Sequence, residues 1–262
     1  MKRAIALSIA GSDPSGGAGI QADLKTFHQF GVYGEAVLTL LTVQNTVGVE
    51  AVEMLRPEFV AAQLKAVLSD VPPGAAKTGA LGSAEMVERV AEEALGFSFP
   101  LVVDPVMISK HGVPLMAQEA RAKLVELLVP RCALLTPNLH EAAAITGRRV
   151  ETLSEMGDAA LAMLDLGAGA VLLKGGHLAG AAIDLLVWHE GEMQLEGKRI
   201  ETVHTHGTGC SYSAAITAML AGGMELETAV RKAKAWIQSA IETNPGIGKG
   251  QGPVNHFAPS PE

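Results

Sequence analysis

Continuous apolar runs recur along the chain, and stretches with apolar residues at helical spacing lie between most of them. AIALSIA (4–10) reads as a first strand, and the spacing over 18–30 predicts a helix after it. AVLTLLTV (36–43) reads as a second, buried strand. PEFVAAQLKAVLSD (57–70) places a proline in a first helical turn and continues at helical spacing. AAKTGAL (75–81), FPLVVDPVM (99–107), CALLTPN (132–138) and GAVLLKGGH (169–177) are further strand-to-loop units. Runs that are apolar throughout, rather than alternating, suit strands covered on both faces. The rhythm therefore predicts an α/β fold: a doubly wound, mostly parallel sheet with helices on both faces.

One segment departs from it. In IDLLVWHEGEMQLEGKRIET (183–202), Glu190-Gly191 separates two alternating runs, which predicts an antiparallel edge hairpin. Helices are expected near 209–222 and 225–243, and residues 244–262, rich in Gly and Pro, as loop. No repeat, linker or break in composition divides the chain, so 1–262 is read as one domain.

In open α/β sheets ligands bind outside the carboxyl ends of the strands. Here those ends carry GSDPSGGAG, QN, KTG, DP, TPNLHE and KGGH, which should converge on one crevice. THGTGCSYSAAITAML (205–220) leads glycines and hydroxyls straight into a helix. Free N–H groups and the positive end of the helix would then face an anion. Gly207 and Gly209 allow close approach, and a thiol at the helix mouth, Cys210, would have a lowered pKa. The plain alternative is a Gly-rich cap on an ordinary helix.

Asn138 and Glu141 stand three apart at a helix start. They form either a capping box or an oxygen pair for Mg²⁺. Asp104 ends an apolar strand before Pro105, as a functional carboxylate or a turn former. Lys174, followed by two glycines, suits a nucleotide phosphate or reaches to solvent. Gly11 allows close backbone approach, and Asp23 is a hydroxyl acceptor or a solvated helix charge. Gln44 offers a donor and an acceptor to a planar heterocycle, or simply ends its strand. Gly17-x-Gly19 with Ala22 resembles a dinucleotide fingerprint, but six residues separate it from the strand end and no ribose acid follows the second strand.

The bulk numbers narrow the class. A net charge of −8 argues against a nucleic-acid surface. Two cysteines, Cys132 and Cys210, are too few for a disulfide framework. No leader or bilayer-length apolar run is legible, so the cytoplasm is the expected location. A homodimer is the commonest prior for such a chain.

GSDPSGGAGIQADLKTF, LTVQNT, KTG, VDPVM, TPNLHEAA, LLKGGH and THGTGCSYSAAI occur in that order, with a further trace in GPVNHF (252–257). In this the chain resembles the bacterial hydroxymethylpyrimidine/phosphomethylpyrimidine kinases of thiamine biosynthesis, within the ribokinase-like superfamily. The resemblance implies ATP as co-substrate, Mg²⁺, and two successive phosphorylations of an aminopyrimidine. It implies an anion hole at Gly207, Thr208, Gly209 and Cys210, with Cys210 where related sugar kinases place an aspartate base. It implies Mg²⁺ near Asp104, Asn138 and Glu141, ATP at Lys174 and Thr205, and the pyrimidine at Gly11, Asp23 and Gln44. Ala80 stands where such kinases usually carry methionine. The rival readings are a pyridoxal kinase on the same fold, a nicotinamide-dependent oxidoreductase and a non-catalytic pyrimidine sensor.

Overall fold

The computed structural model describes residues 3–176 and 182–260. His177, which closes the KGGH motif, lies outside them. Among the described residues nine strands form one sheet: β1 (Ile5–Ser12), β2 (Tyr33–Gln44), β3 (Val49–Met54), β4 (Ala75–Thr78), β5 (Leu101–Val103), β6 (Leu134–Leu135), β7 (Ala170–Leu173), β8 (Asp184–Trp188) and β9 (Gly191–Leu195). Their order is β3-β2-β1-β4-β5-β6-β7-β8-β9. The six from β2 to β7 are mutually parallel. The expected hairpin is present as β8 and β9, antiparallel to β7 and to each other.

A second antiparallel edge, β3 on β2, was not expected. VEAVEM carries glutamates at 50 and 53 and has no apolar run to read. Its pairing is a matter of backbone, and its charges suit an open edge. Two central strands are shorter than their apolar runs suggest. Pro105 and Pro137 lack the N–H that a ladder needs, so β5 and β6 stop just before Asp104 and Thr136.

The helices are α1 (Gly19–Gln29), α2 (Pro57–Asp70), α3 (Ala84–Ala94), α4 (Gln118–Lys123), α5 (Leu139–Thr146), α6 (Leu153–Asp165), α7 (Thr208–Ala221) and α8 (Leu226–Glu242). The span of α2 matches the sequence expectation, with Pro57 in its first turn. Side chains alternate across the sheet. Val103, Leu135 and Leu173 enter the core under α2–α6, while Val102, Leu134 and Leu172 enter the core under α7 and α8. Each such Val or Leu contributes roughly 1.5–3 kcal/mol by leaving water.

Every residue of α7 from Ser211 to Met219 is buried, and most are small. That composition lets the helix lie close against the centre of the sheet, with its N-terminus at the carboxyl ends of the strands. Residues 250–258 have no regular structure, as expected, yet they are pinned. Gln251 N donates to Thr46 O at 2.8 Å, and His206 N donates to Gly252 O at 3.0 Å. Ala258 O accepts from Trp236 Nε1 and from Gln29 Nε2, each at 3.0 Å. Among the described residues no helix is long and apolar enough to cross a membrane.

Candidate active site

The carboxyl ends of the parallel strands open into one cavity of about 720 Å³. Nearly all the residues singled out in the sequence line it: Gly11 and Gln44 from β1 and β2, Asp104 past β5, Asn138 and Glu141 past β6, Lys174 past β7, and the stretch from Thr205 to Cys210. Asp23 does not.

The 205–210 stretch is shaped by one glycine. Gly207 has φ +74°, and a side chain there would collide with the Gly17 carbonyl. Ser211 N returns to Gly207 O at 2.8 Å, closing the first turn of α7. Thr208 Oγ1 donates to Thr205 O at 2.8 Å and braces the loop from inside. A Cβ on Gly209 would sit 3.2 Å from Lys174 Nζ, so a bare backbone keeps the way to that charge open.

Lys174 Nζ donates to Asp104 Oδ1 at 3.0 Å. Thr136 Oγ1 donates to the same oxygen at 3.1 Å, and Ser213 Oγ donates to Oδ2 at 3.2 Å. Burial works against the Asp104 charge, but Lys174 and Lys77 outweigh it and hold the carboxyl low. Burial likewise opposes the Lys174 charge, and Asp104 and Glu141 outweigh it. The ammonium thus stays charged at the cavity wall.

Asn138 and Glu141 do form the capping box: Asn138 Oδ1 accepts from Glu141 N at 2.9 Å, and Glu141 Oε2 accepts from Asn138 N at 2.8 Å. The box uses only one oxygen of Glu141. Burial pushes this carboxyl up to about 7, against the pull of Lys174 and with the like charge of Asp104 adding to the rise. A buried carboxyl raised in this way, near a second carboxylate, has chemistry that suits a hard cation. Among the described residues no group of three or more His, Cys, Asp or Glu is arranged to hold a metal alone. A Mg²⁺ here would take much of its coordination from water and phosphate, its ordinary habit.

Two expectations need correction. Asp23 is neither a solvated helix charge nor a group at the cavity surface; its exposure is 0 %. It accepts from Lys77 Nζ at 2.9 and 2.8 Å and from Ser8 Oγ at 2.6 Å. Its role is beneath the site, holding Lys77. The thiol of Cys210 is not lowered by its place at the helix mouth. Burial pushes it up to about 11; Lys77 counters, while Asp104 and Asp23 add to the rise. Desolvation and two carboxylates win over a helix end and one lysine.

Residues not singled out from sequence complete the site. Lys77, from KTG, is part of the cavity floor and has 0 % exposure. Burial would neutralise it, but Asp23 first and then Cys210 and Asp104 keep it charged. A lysine inside an apolar strand was the available signal, since lysines are almost never fully buried unless paired. Asp13 and His206 are bonded to each other at 2.7 Å and line the same cavity beside Gln44. Thr42 lines it too.

The phosphomethylpyrimidine kinase family model matches residues 13–255. This chain belongs to that family. The hydroxymethylpyrimidine/phosphomethylpyrimidine kinase of Rhizobium meliloti is 49 % identical over 258 residues, covering 97 % of each chain. The crystal structure of Clostridium difficile phosphomethylpyrimidine kinase superposes with a TM-score of 0.82 at 43 % identity, over 91 % of this chain and all of that one. An ADP complex of Bacillus subtilis pyridoxal kinase superposes with a TM-score of 0.91 at 37 % identity, over 98 % of both. The chain is therefore a phosphotransferase, and its fold is that of these solved kinases.

Proposed function

We propose that this enzyme transfers the γ-phosphoryl group of ATP to the hydroxyl of 4-amino-5-hydroxymethyl-2-methylpyrimidine, and then a second phosphoryl group to the resulting monophosphate. The observation that carries the reading is the meeting, in one cavity, of a planar-edge reader (Gln44), an anion loop (207–210) and a charged lysine (Lys174). Family membership and the relatives' names support the pyrimidine over pyridoxal as substrate.

Phosphoryl transfer needs in-line positioning and neutralised charge more than covalent help. In this reading the N–H groups at the start of α7 hold the migrating phosphoryl group. Lys174 stands across from them, 3.2 Å from where a Gly209 side chain would be. Glu141 and Asp104 would hold Mg²⁺, which supplies further charge neutralisation when bound. Asp104 acts largely by charge, because Lys174 and Thr136 already bond its Oδ1, while Ser213 Oγ lies 3.2 Å from Oδ2 and 3.0 Å from Cys210 O.

The two transfers make different demands. The first nucleophile is an alcohol, whose proton must leave as the O–P bond forms. Cys210 is the candidate acceptor, and with its thiol near 11 it must first lose its own proton. The second nucleophile is a phosphate monoester with a second pKa near ~6, already ionised at neutral pH. It needs no base.

The test is ADP release with Mg²⁺-ATP and, in parallel, the aminopyrimidine alcohol, its monophosphate and pyridoxal. Turnover on both pyrimidines is expected, with pyridoxal far behind. Turnover on pyridoxal alone would discard the reading and direct attention to Ala80 at the cavity wall.

A further inference from the structure

Gln44 meets two neighbours that between them decide which way its amide faces. Its Nε2 lies 3.2 Å from His206 Nε2, and its Oε1 lies 3.3 Å from Thr42 Oγ1. A half-turn of the amide exchanges the two atoms and leaves the shape of the side chain unchanged. The protons of the neighbours select between the two senses.

His206 Nε2 also lies 2.7 Å from Asp13 Oδ2. Asp13 is a committed acceptor. Its Oδ1 takes Ser15 N at 2.9 Å and Ser15 Oγ at 2.7 Å, and its Oδ2 takes Ala18 N at 2.9 Å. Burial opposes its charge, but His206 and Ser15 outweigh burial and hold the carboxyl low. An ionised carboxylate at 2.7 Å requires a proton on His206 Nε2. The opposite tautomer would set a lone pair against the carboxylate and leave a buried N–H at Nδ1, which has no hydrogen-bond partner among the described residues. An Nε2–H cannot accept from an amide N–H. On the other side, Thr42 has a single hydroxyl proton, and Ser12 O takes it at 2.9 Å. Thr42 Oγ1 is therefore left as an acceptor.

We infer that Asp13, His206 and Thr42 fix the Gln44 amide with Oε1 toward His206 and Nε2 toward Thr42, and so fix the sense in which the substrate ring lies. The inference rests on the reading of Gln44 as the partner of an aminopyrimidine edge. An amide in that sense pairs its oxygen with the ring's 4-amino group, on the His206 side. It pairs its N–H with ring N3, on the Thr42 side. Going round the ring, N3 is followed by C4 and then C5, so the 5-hydroxymethyl group is carried past His206. The next residue is Gly207, the start of the anion loop. The reverse sense would swing the reacting hydroxyl away from that loop.

His206 is thus a positioning residue, and its ring is well held. A side chain on Gly17 would collide with its Cδ2, and its backbone N donates to Gly252 O at 3.0 Å. The ring of His111 stands near it, tilted by 37° with centroids 6.1 Å apart.

The probe is the 4-oxo analogue of the substrate, which presents an N3–H donor and an oxygen acceptor and so needs the amide in the opposite sense. The readout is the ratio of kcat/KM for the amino alcohol to kcat/KM for the oxo alcohol. In His206→Leu the ratio is expected to fall roughly tenfold, the worth of about one oriented hydrogen bond. Thr42→Val, which replaces the hydroxyl with a methyl of similar size, is expected to lower it in the same direction. An unchanged ratio in a folded Thr42→Val enzyme would overturn the inference, whether or not His206→Leu folds. A second readout does not depend on turnover. The ¹⁵N spectrum of the ligand-free enzyme should show a protonated Nε2 for His206, and an unprotonated Nε2 would overturn the inference. Failure of the wild type to phosphorylate the amino alcohol would instead strike the functional reading, and the nitrogen spectrum would still decide the orientation of Gln44.

Discussion

Two lysines at the ends of parallel strands, each tied to an aspartate, are put to opposite uses. Lys77 and Asp23 have no exposed surface in either side chain and join β4 to α1 at 2.8 Å. Lys174 and Asp104 join the ends of β7 and β5 at 3.0 Å, and the lysine side chain keeps 15 % exposure. The first pair is closed: Lys77 spends itself on both oxygens of Asp23. The second is open, because Lys174 touches one oxygen of Asp104 and faces the cavity past the bare backbone of Gly209. Both are lysines near the carboxyl end of a parallel strand, Lys77 inside β4 and Lys174 one residue past β7. Access to the cavity is what separates a floor timber from a working charge.

The strongest way to break this contrast is to cut the closed pair. Asp23→Ala should destabilise the fold by about 3–5 kcal/mol, because it strands a buried ammonium. Replacing both partners, Asp23→Leu with Lys77→Met, should recover most of that loss. Urea unfolding measures both. A loss under about 1 kcal/mol for the single change would remove the structural role.

Cutting the open pair should do the reverse. Lys174→Met is expected to lower kcat by about 10²–10³-fold, the usual cost of removing one group aimed at developing charge. Its unfolding midpoint should fall much less than that of Asp23→Ala. Comparable unfolding losses in the two variants would show that the pairs are alike after all.

Cys210 feels charges of both pairs, so it sharpens the contrast. Cys210→Ala should slow the first transfer about 10²-fold, within the range of general-base help. The second transfer should be nearly unaffected. In the intact enzyme the first transfer should rise with pH from 7 toward 11, because the thiolate fraction grows as pH approaches the raised pKa. The second should be flat over that interval. Equal losses in both transfers would leave Cys210 as a wall of the anion loop only.

The smallest effect concerns Glu141. With a carboxyl near 7, it is charged above pH 7 and protonated below. The Mg²⁺ concentration needed for half-maximal rate should therefore climb as pH falls below 7, by up to about tenfold per unit. Glu141→Gln should raise the requirement at pH 8 and flatten its pH dependence. An unchanged titration would discard the role.

Much of this arrangement was legible in the residues. Continuous apolar runs ending in polar or glycine clusters specify a parallel sheet and also the side on which it works. Where the reading fell short, the cause was a property that emerges only in three dimensions. The β3 strand pairs through its backbone and carries no apolar signal. Asp23 looks like a solvated helix charge until Lys77 of β4 is brought against it, 54 positions away. In the sequence Cys210 shows its helix end but not the burial and the two carboxylates that outweigh it. In the sequence His206 is one residue of a glycine-rich loop. Its meaning depends on Asp13, which lies 193 positions earlier.

The pinned segment at 250–258 bears on the order in which the enzyme is made. Gly250 meets Thr46 across 204 positions of chain, and Gly252 meets His206 beside the anion loop. Contacts between such distant positions form late, after most of the entropy of the intervening chain has been lost. A ribosome releases residue 46 long before residue 250. The His206 side of the pocket is thus completed only after residue 252 has emerged, well after the last strand of the sheet, so a nascent chain can carry every strand before its pocket is whole.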